Sequence, residues 1–228
     1  KDFKSDWEAV QMGYSAFDNL PPAFADFILG HVAAKVAEKT EQNIWKGVTA
    51  NAGEFNGFAT LLSLDAALPA AQEVGGTTVT ASNVVAQLGL LVDAIPASLY
   101  GKEDLYLYVS QSIARSYIRA LGGFGASGLG SAGTNAMGTQ WYNNGSLTFD
   151  GIKLFVADGL ASTKAIASQK SNLYFGTGLI SDLTEVKVID MADIDGSQNV
   201  RIVMRMTAGV QYGFASDIVT YGITNSAN

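Results

Sequence analysis

The alternation of apolar and polar positions divides the chain into elements of two periods. From Ala23 to Trp45, Phe24, Phe27, Ile28, His31, Val32, Val36 and Ile44 fall mostly along one helical stripe, and Lys35, Glu38, Lys39, Glu41 and Gln42 take the other side. This predicts one long helix, opened by Pro21 and Pro22 and stopped at Gly47. At 1.5 Å per residue it spans about 35 Å, the length of a strut. Its candidate core positions are Phe24, Ile28, Val32, Ile44 and Trp45. Phe58–Leu64 is a short apolar segment, and Gln72–Thr80 reads as a turn or edge strand. Val84, Val85, Leu88, Leu91, Val92 and Ile95 predict a second helix, which Pro96 ends. Leu105–Val109 reads as a buried strand, and Ile113, Ala114, Tyr117, Ile118 and Leu121 as the inner face of a third helix stopped by Gly122 and Gly123.

The second half changes period. Ile152–Val156 is a predicted strand, Thr163–Gln169 has no clear type, and Leu173–Phe175 is short and extended. Glu185–Met191 and Val200–Thr207 are strands joined across Asp195-Gly196, a turn dipeptide, so they form a hairpin. Val200, Ile202, Met204 and Met206 share one face of the second strand. Val210–Tyr221 supplies one further long strand, bent at Gly213. Helix, mixed block and β-rich tail together define an α+β chain, with the long helix packed on the long hairpin and the mixed block inserted between them.

Composition limits what such a chain does. Its 228 residues are 48% apolar and only 15% charged, against about a quarter charged in ordinary soluble domains. In a chain this poor in charge, either other subunits cover part of the surface or its plentiful Ser, Thr, Asn, Gln and Gly do. The net charge of −7 and the absence of any cluster of Lys and Arg argue against nucleic-acid reading, which rests on phosphate neutralisation. With no cysteine there is no disulfide, thiol nucleophile or zinc–thiolate site, and one histidine leaves little for metal chemistry. No apolar run reaches membrane-spanning length, so no membrane contact is expected. The chain starts at Lys1 without an initiator Met, which reads as an upstream part removed or left out.

The motifs that carry chemistry elsewhere lack their context here. Gly128-Leu129-Gly130-Ser131-Ala132-Gly133 matches G-x-G-x-x-G, but a helix precedes it instead of a strand, so a flexible loop is expected and no cofactor site. Asp193-Ile194-Asp195-Gly196 opens like a calcium loop, yet the twelfth position is Met204, not Glu. His31 lies mid-helix beside the apolar stripe with no nucleophile elbow in the chain, and reads as a packed or hydrogen-bonded residue. The late carboxylates Asp182, Glu185, Asp190, Asp193, Asp195 and Asp217 form no recognisable pair. No catalytic, cofactor or metal residues are assigned, and the chain is expected not to be an enzyme.

Three stretches carry a resemblance. The run Asn172–Tyr221, beginning NLYFGTGLIS, resembles the closing segment of tailed-bacteriophage major capsid proteins of the Hong Kong 97 fold. Glu41-Gln42-Asn43-Ile44-Trp45-Lys46-Gly47 and Ala94–Leu121 are similar to the same family. The resemblance implies a peripheral domain made of 1–73 and 181–228, with spine helix 22–45 and hairpin 185–207. It implies an inserted axial domain, 74–180, whose Gly-rich loop 124–145 faces the centre of a pentamer or hexamer. Phe124, Met137, Trp141 and Tyr142 in that loop are then the candidate subunit-interface residues. The implied function is a self-assembling shell protein of the virion, forming pentamers and hexamers of an icosahedral head around double-stranded DNA. That DNA is held without specific binding, and the implied partners are further copies and other capsid or decoration proteins. An encapsulin-like compartment shell shares the fold and stays open, as does a small α/β enzyme using the Gly-rich loop. The family places an N-terminal arm and an extended loop before the spine helix; here only about twenty residues precede it, so no cross-link residues are carried over.

Overall fold

A computed structural model describes residues 23–121, 147–179, 185–191 and 200–227, together with Ile194 and Gly196. The opening stretch Lys1–Leu20 and the Gly-rich loop lie outside the described residues. Contacts divide the chain into two compact units, Lys1–Gln42 and Asn43–Asn228. The helix α1, Ala23–Lys46, belongs to the first unit up to Gln42, and its last turn belongs to the second.

In the first unit, the apolar stripe of α1 is less covered than its pattern predicts. Ile28 and Val32 are half-buried, as are Phe27 and Val36, and Lys35 pairs with Glu38 at 2.7 Å on the exposed side. Ile28 and Val32, expected as core, are thus partly covered, and His31 is exposed on the helix. The side chain of Phe24 lies outside the described residues.

The second unit is built on a six-stranded mixed sheet in the order β1-β10-β5-β2-β4-β3. The strands are β1 (Glu73–Val74), β2 (Leu105–Val109), β3 (Leu147–Phe149), β4 (Ile152–Val156), β5 (Ala165–Gln169) and β10 (Ile218–Tyr221). Pairing is parallel for β1 with β10 and for β2 with β4, and antiparallel for the other neighbours. A two-residue Asp150-Gly151 turn joins β3 to β4, with φ of 49° and 79°, the left-handed region that such hairpins require.

Both faces of the central strands are buried, which is why they read as near-continuous apolar runs. Leu105, Leu107 and Val109 of β2 point to one face, where helices α3 (Val84–Asp93) and α4 (Gln111–Leu121) supply Leu88, Leu91, Ile113 and Tyr117. Tyr108 of β2, Ile166 of β5 and Ile218 of β10 point to the other. There the last turn of α1 brings Trp45, 5% exposed, and α2 (Phe58–Leu62) brings Phe58 and Leu62. The Trp45 ring lies 5.1 Å from Tyr108 and 5.6 Å from Phe58, centroid to centroid. Ile44 is half-buried against the same cluster.

This second core depends on a close backbone crossing. The Gly57 amide donates to the Gly47 carbonyl at 2.9 Å, and Thr60 Oγ1 donates to the same oxygen at 2.8 Å. A Cβ on Gly57 would run into the Asn43 carbonyl oxygen and sit 2.7 Å from the Trp45 carbonyl carbon and 2.8 Å from the Gly47 nitrogen. Gly47 thus does more than stop α1, since it lets the chain turn back under Trp45.

Four further strands form two ribbons. β6 (Leu173–Thr177) pairs antiparallel with β9 (Ala208–Tyr212), and β7 (Val186–Asp190) with β8 (Val200–Met204). The β7–β8 pair is the expected hairpin. In the chain β7 and β8 both fall between β6 and β9, so the β7–β8 pair is nested within the β6–β9 pair.

Two expectations change. Thr163–Gln169 resolves into β5, a central strand made of small residues (AIASQ) whose weak strand propensity is overridden by burial between β2 and β10. The single long strand Val210–Tyr221 is two strands in different sheets, separated by a turn at Ala215–Asp217. The cause is buried Asn172: its Oδ1 accepts from the Gly213 and Phe214 amides at 3.1 and 2.8 Å, and its Nδ2 donates to the Phe214 carbonyl at 2.8 Å.

Two glycines give a contrast that tests the crossing. Gly57→Ala is expected to lower the unfolding free energy by about 3 kcal/mol, the upper range for overpacking, in urea denaturation. Gly89→Ala in α3, where a Cβ meets open space, is expected to raise it by up to about 1 kcal/mol. Trp45→Ala is expected to remove about 3–5 kcal/mol, read as a lowered Tm.

Candidate functional site

The polar side chains of the second unit are engaged in holding loops together. Tyr212 is buried, and its hydroxyl donates to Asp65 Oδ2 at 2.6 Å. The Asp65 carboxyl is held below its usual range, first by that bond and then by the Ala67 amide. The Tyr212 phenol is pushed up, first by burial and then by the carboxylate. The Asp65 carbonyl accepts from Asn225 Nδ2 at 2.7 Å, and the Ser63 carbonyl from the Ser226 amide at 2.9 Å, so the C-terminal segment is strapped beside α2. Asp104 accepts from Ser171 Oγ at 2.6 Å and Gln169 Nε2 at 2.7 Å, which lower its pKa in that order. Asp150 accepts from the Tyr100 hydroxyl at 3.2 Å. Tyr108, buried against Trp45, is pushed up to about 12 by loss of solvent.

Among the described residues, no group of three or more His, Asp and Glu is placed to hold a metal ion. No described helix is long and apolar enough to cross a membrane. Of the late carboxylates, Glu185 pairs with Lys187 at 3.0 Å.

Two apolar surfaces stand out. The first is the β7–β8 hairpin. Val186, Val188, Ile202 and Met204 share one face, with Val188 57% exposed; Lys187, Arg201 and Arg205 lie on the other with Glu185. The second is the β6–β9 pair, which leaves Tyr174 58%, Phe175 47% and, at its end, Phe214 69% exposed. No charged residue occurs in Ser171–Ser181 or Met206–Ser216, so no charge along this pair guards an exposed strand edge. The sequence carried this signal as two uncharged stretches 25 residues apart from end to start, but only the register of β6 on β9 joins them. The expected interface residues Phe124, Met137, Trp141 and Tyr142 lie outside the described residues, so the structure places none of them.

No family model matches the chain, and no curated protein does. Among solved structures, a chain of Mycobacterium phage Che8 is similar over 97% of this chain and 68% of its own length, with a TM-score of 0.54 at 14% identity. The chain is thus a mixed α+β protein that shares its fold with a bacteriophage protein.

Tyr212→Phe tests the strap. At pH 7 it is expected to lower stability by about 1 kcal/mol, discounted because Asp65 is only half-buried. Asp65 is depressed in the folded state, so its contribution is present above the ordinary Asp value and is lost as pH falls through the lower folded value. Tyr212 is raised, so its contribution is present below the ordinary Tyr value and is lost as pH rises through the higher folded one. The Tm gap between wild type and variant should therefore narrow at both pH extremes; a pH-independent gap would contradict it.

Proposed function

We propose that this chain is a structural shell subunit of a bacteriophage head, a major capsid protein of the Hong Kong 97 type. It works by assembling with its own copies into pentamers and hexamers of an icosahedral shell around double-stranded DNA, and it performs no catalysis. The observation that carries the reading is the fold shared over 97% of the chain with a Mycobacterium phage Che8 protein. The resemblance of Asn172–Tyr221, Glu41–Gly47 and Ala94–Leu121 to that capsid family supports it independently.

Physical features fit the role. A shell subunit needs several faces without strong charge, since each specific interface buries about 1,200 Å² or more. The chain supplies them in its 15% charged composition and in the exposed Tyr174, Phe175, Val188 and Phe214. Its net charge of −7 disfavours tight binding to enclosed DNA, so packaged DNA remains mobile. The polar bonds around Asp65, Asp104 and Asn172 fix loops without creating a reactive centre.

Electron microscopy and sedimentation of the expressed protein test this reading. Closed shells of uniform diameter are expected. A protein that stays monomeric at high concentration would overturn it.

A further inference from the structure

The β6–β9 pair has a property that goes beyond shell membership. Among the described residues, β6 is bonded on one side only, to β9, so alternate N–H and C=O groups of Leu173–Thr177 point away unpaired. Natural proteins often guard such an edge with Lys or Pro, and neither occurs between Ser171 and Ser181. The strand instead exposes Tyr174 on one face and Phe175 on the other. An open, uncharged, aromatic strand edge accepts another strand.

We infer that the occupant is β6 of a second copy, paired antiparallel about a two-fold axis through Phe175; this rests on the shell reading for its context. Three observations select it. First, a chain of net charge −7 repels its copies, and this pair carries no charge to add to that repulsion. Second, the other described strands match it poorly. β7 carries Lys187 and Asp190, β8 carries Arg201, β1 and β3 have two and three residues, and β9 packs beside α2 with Tyr212 buried. Third, β6 is complementary to itself. In the two-fold register Phe175 lies opposite the same residue of the second copy, Leu173 opposite Thr177, and Tyr174 opposite Gly176, an aromatic ring over a bare glycine. The result is a continuous four-stranded sheet, β9-β6-β6-β9, across two copies.

The exposed parts of Tyr174, Phe175 and Phe214 come to about 350 Å² per copy, under half of the roughly 800 Å² per partner in a standard interface. The pairing is therefore one contact among several that each copy makes, as a shell requires.

Single cysteines test the register, because the sequence has none of its own. Phe175→Cys, Thr177→Cys and Leu64→Cys are introduced separately in the full chain, checked for unchanged Tm, and oxidised with copper–phenanthroline. In the Phe175→Cys variant the two thiols would face each other at disulfide distance. In the Thr177→Cys variant they would stand four residues apart along the pair, about 13 Å. Phe175→Cys is expected to form covalent dimers at least about tenfold faster than the other two, since paired thiols meet at the effective concentration of a fixed contact. Phe175→Lys, on an exposed position, should keep its Tm and lose the association. Equal cross-linking rates in shells that form normally overturn the pairing and leave the shell reading standing. Fast dimers of the Phe175→Cys variant without any shell uphold the pairing and remove the shell reading. Neither shells nor dimers of that variant overturn both.

Discussion

The fold depends on one constraint: the central strands β2, β5 and β10 are buried on both faces, so two separate layers have to be brought to them. One layer is local. α3 and α4 flank β2 in the chain and lay their apolar faces on Leu105, Leu107 and Val109. The other layer is assembled from distant pieces: the last turn of α1, α2, and the C-terminal residues Ala215, Ile218 and Ile223. It closes only because Gly47 and Gly57 let two backbone segments touch beneath Trp45, where no side chain fits.

Burying both sheet faces leaves the remaining chain little core of its own. β6 to β9 form two two-stranded pairs, and a two-stranded ribbon is marginal in water by itself. Their apolar side chains, Val188, Tyr174 and Phe175 among them, remain exposed on the single chain. The two uncharged stretches meet on β6 and β9, and the side-chain bonds of Asn172 and Tyr212 hold the ends of that pair.

Elements were legible where one period ran unbroken. The stripe of α1, the apolar face of α3, the LYLYV strand and the Asp195-Gly196 hairpin all follow from local spacing. Two things were not legible. β5 is written in Ala, Ser and Gln around a single Ile, and nothing local distinguishes AIASQ from a loop; its place between β2 and β10 comes from long-range pairing. The break between β9 and β10 is set by Asn172, some forty residues upstream, whose side chain replaces ladder bonds at Gly213 and Phe214.

By itself the sequence determined the number and kind of most elements, the α+β class and the absence of a recognisable catalytic motif, because these rest on short-range periodicity and residue chemistry. Only the tertiary structure decided which strands share a sheet, that Ile28 and Val32 are half-covered, and that two uncharged stretches meet as one exposed pair. Those outcomes depend on register and on close backbone approach between residues far apart in the chain, and no local pattern encodes either.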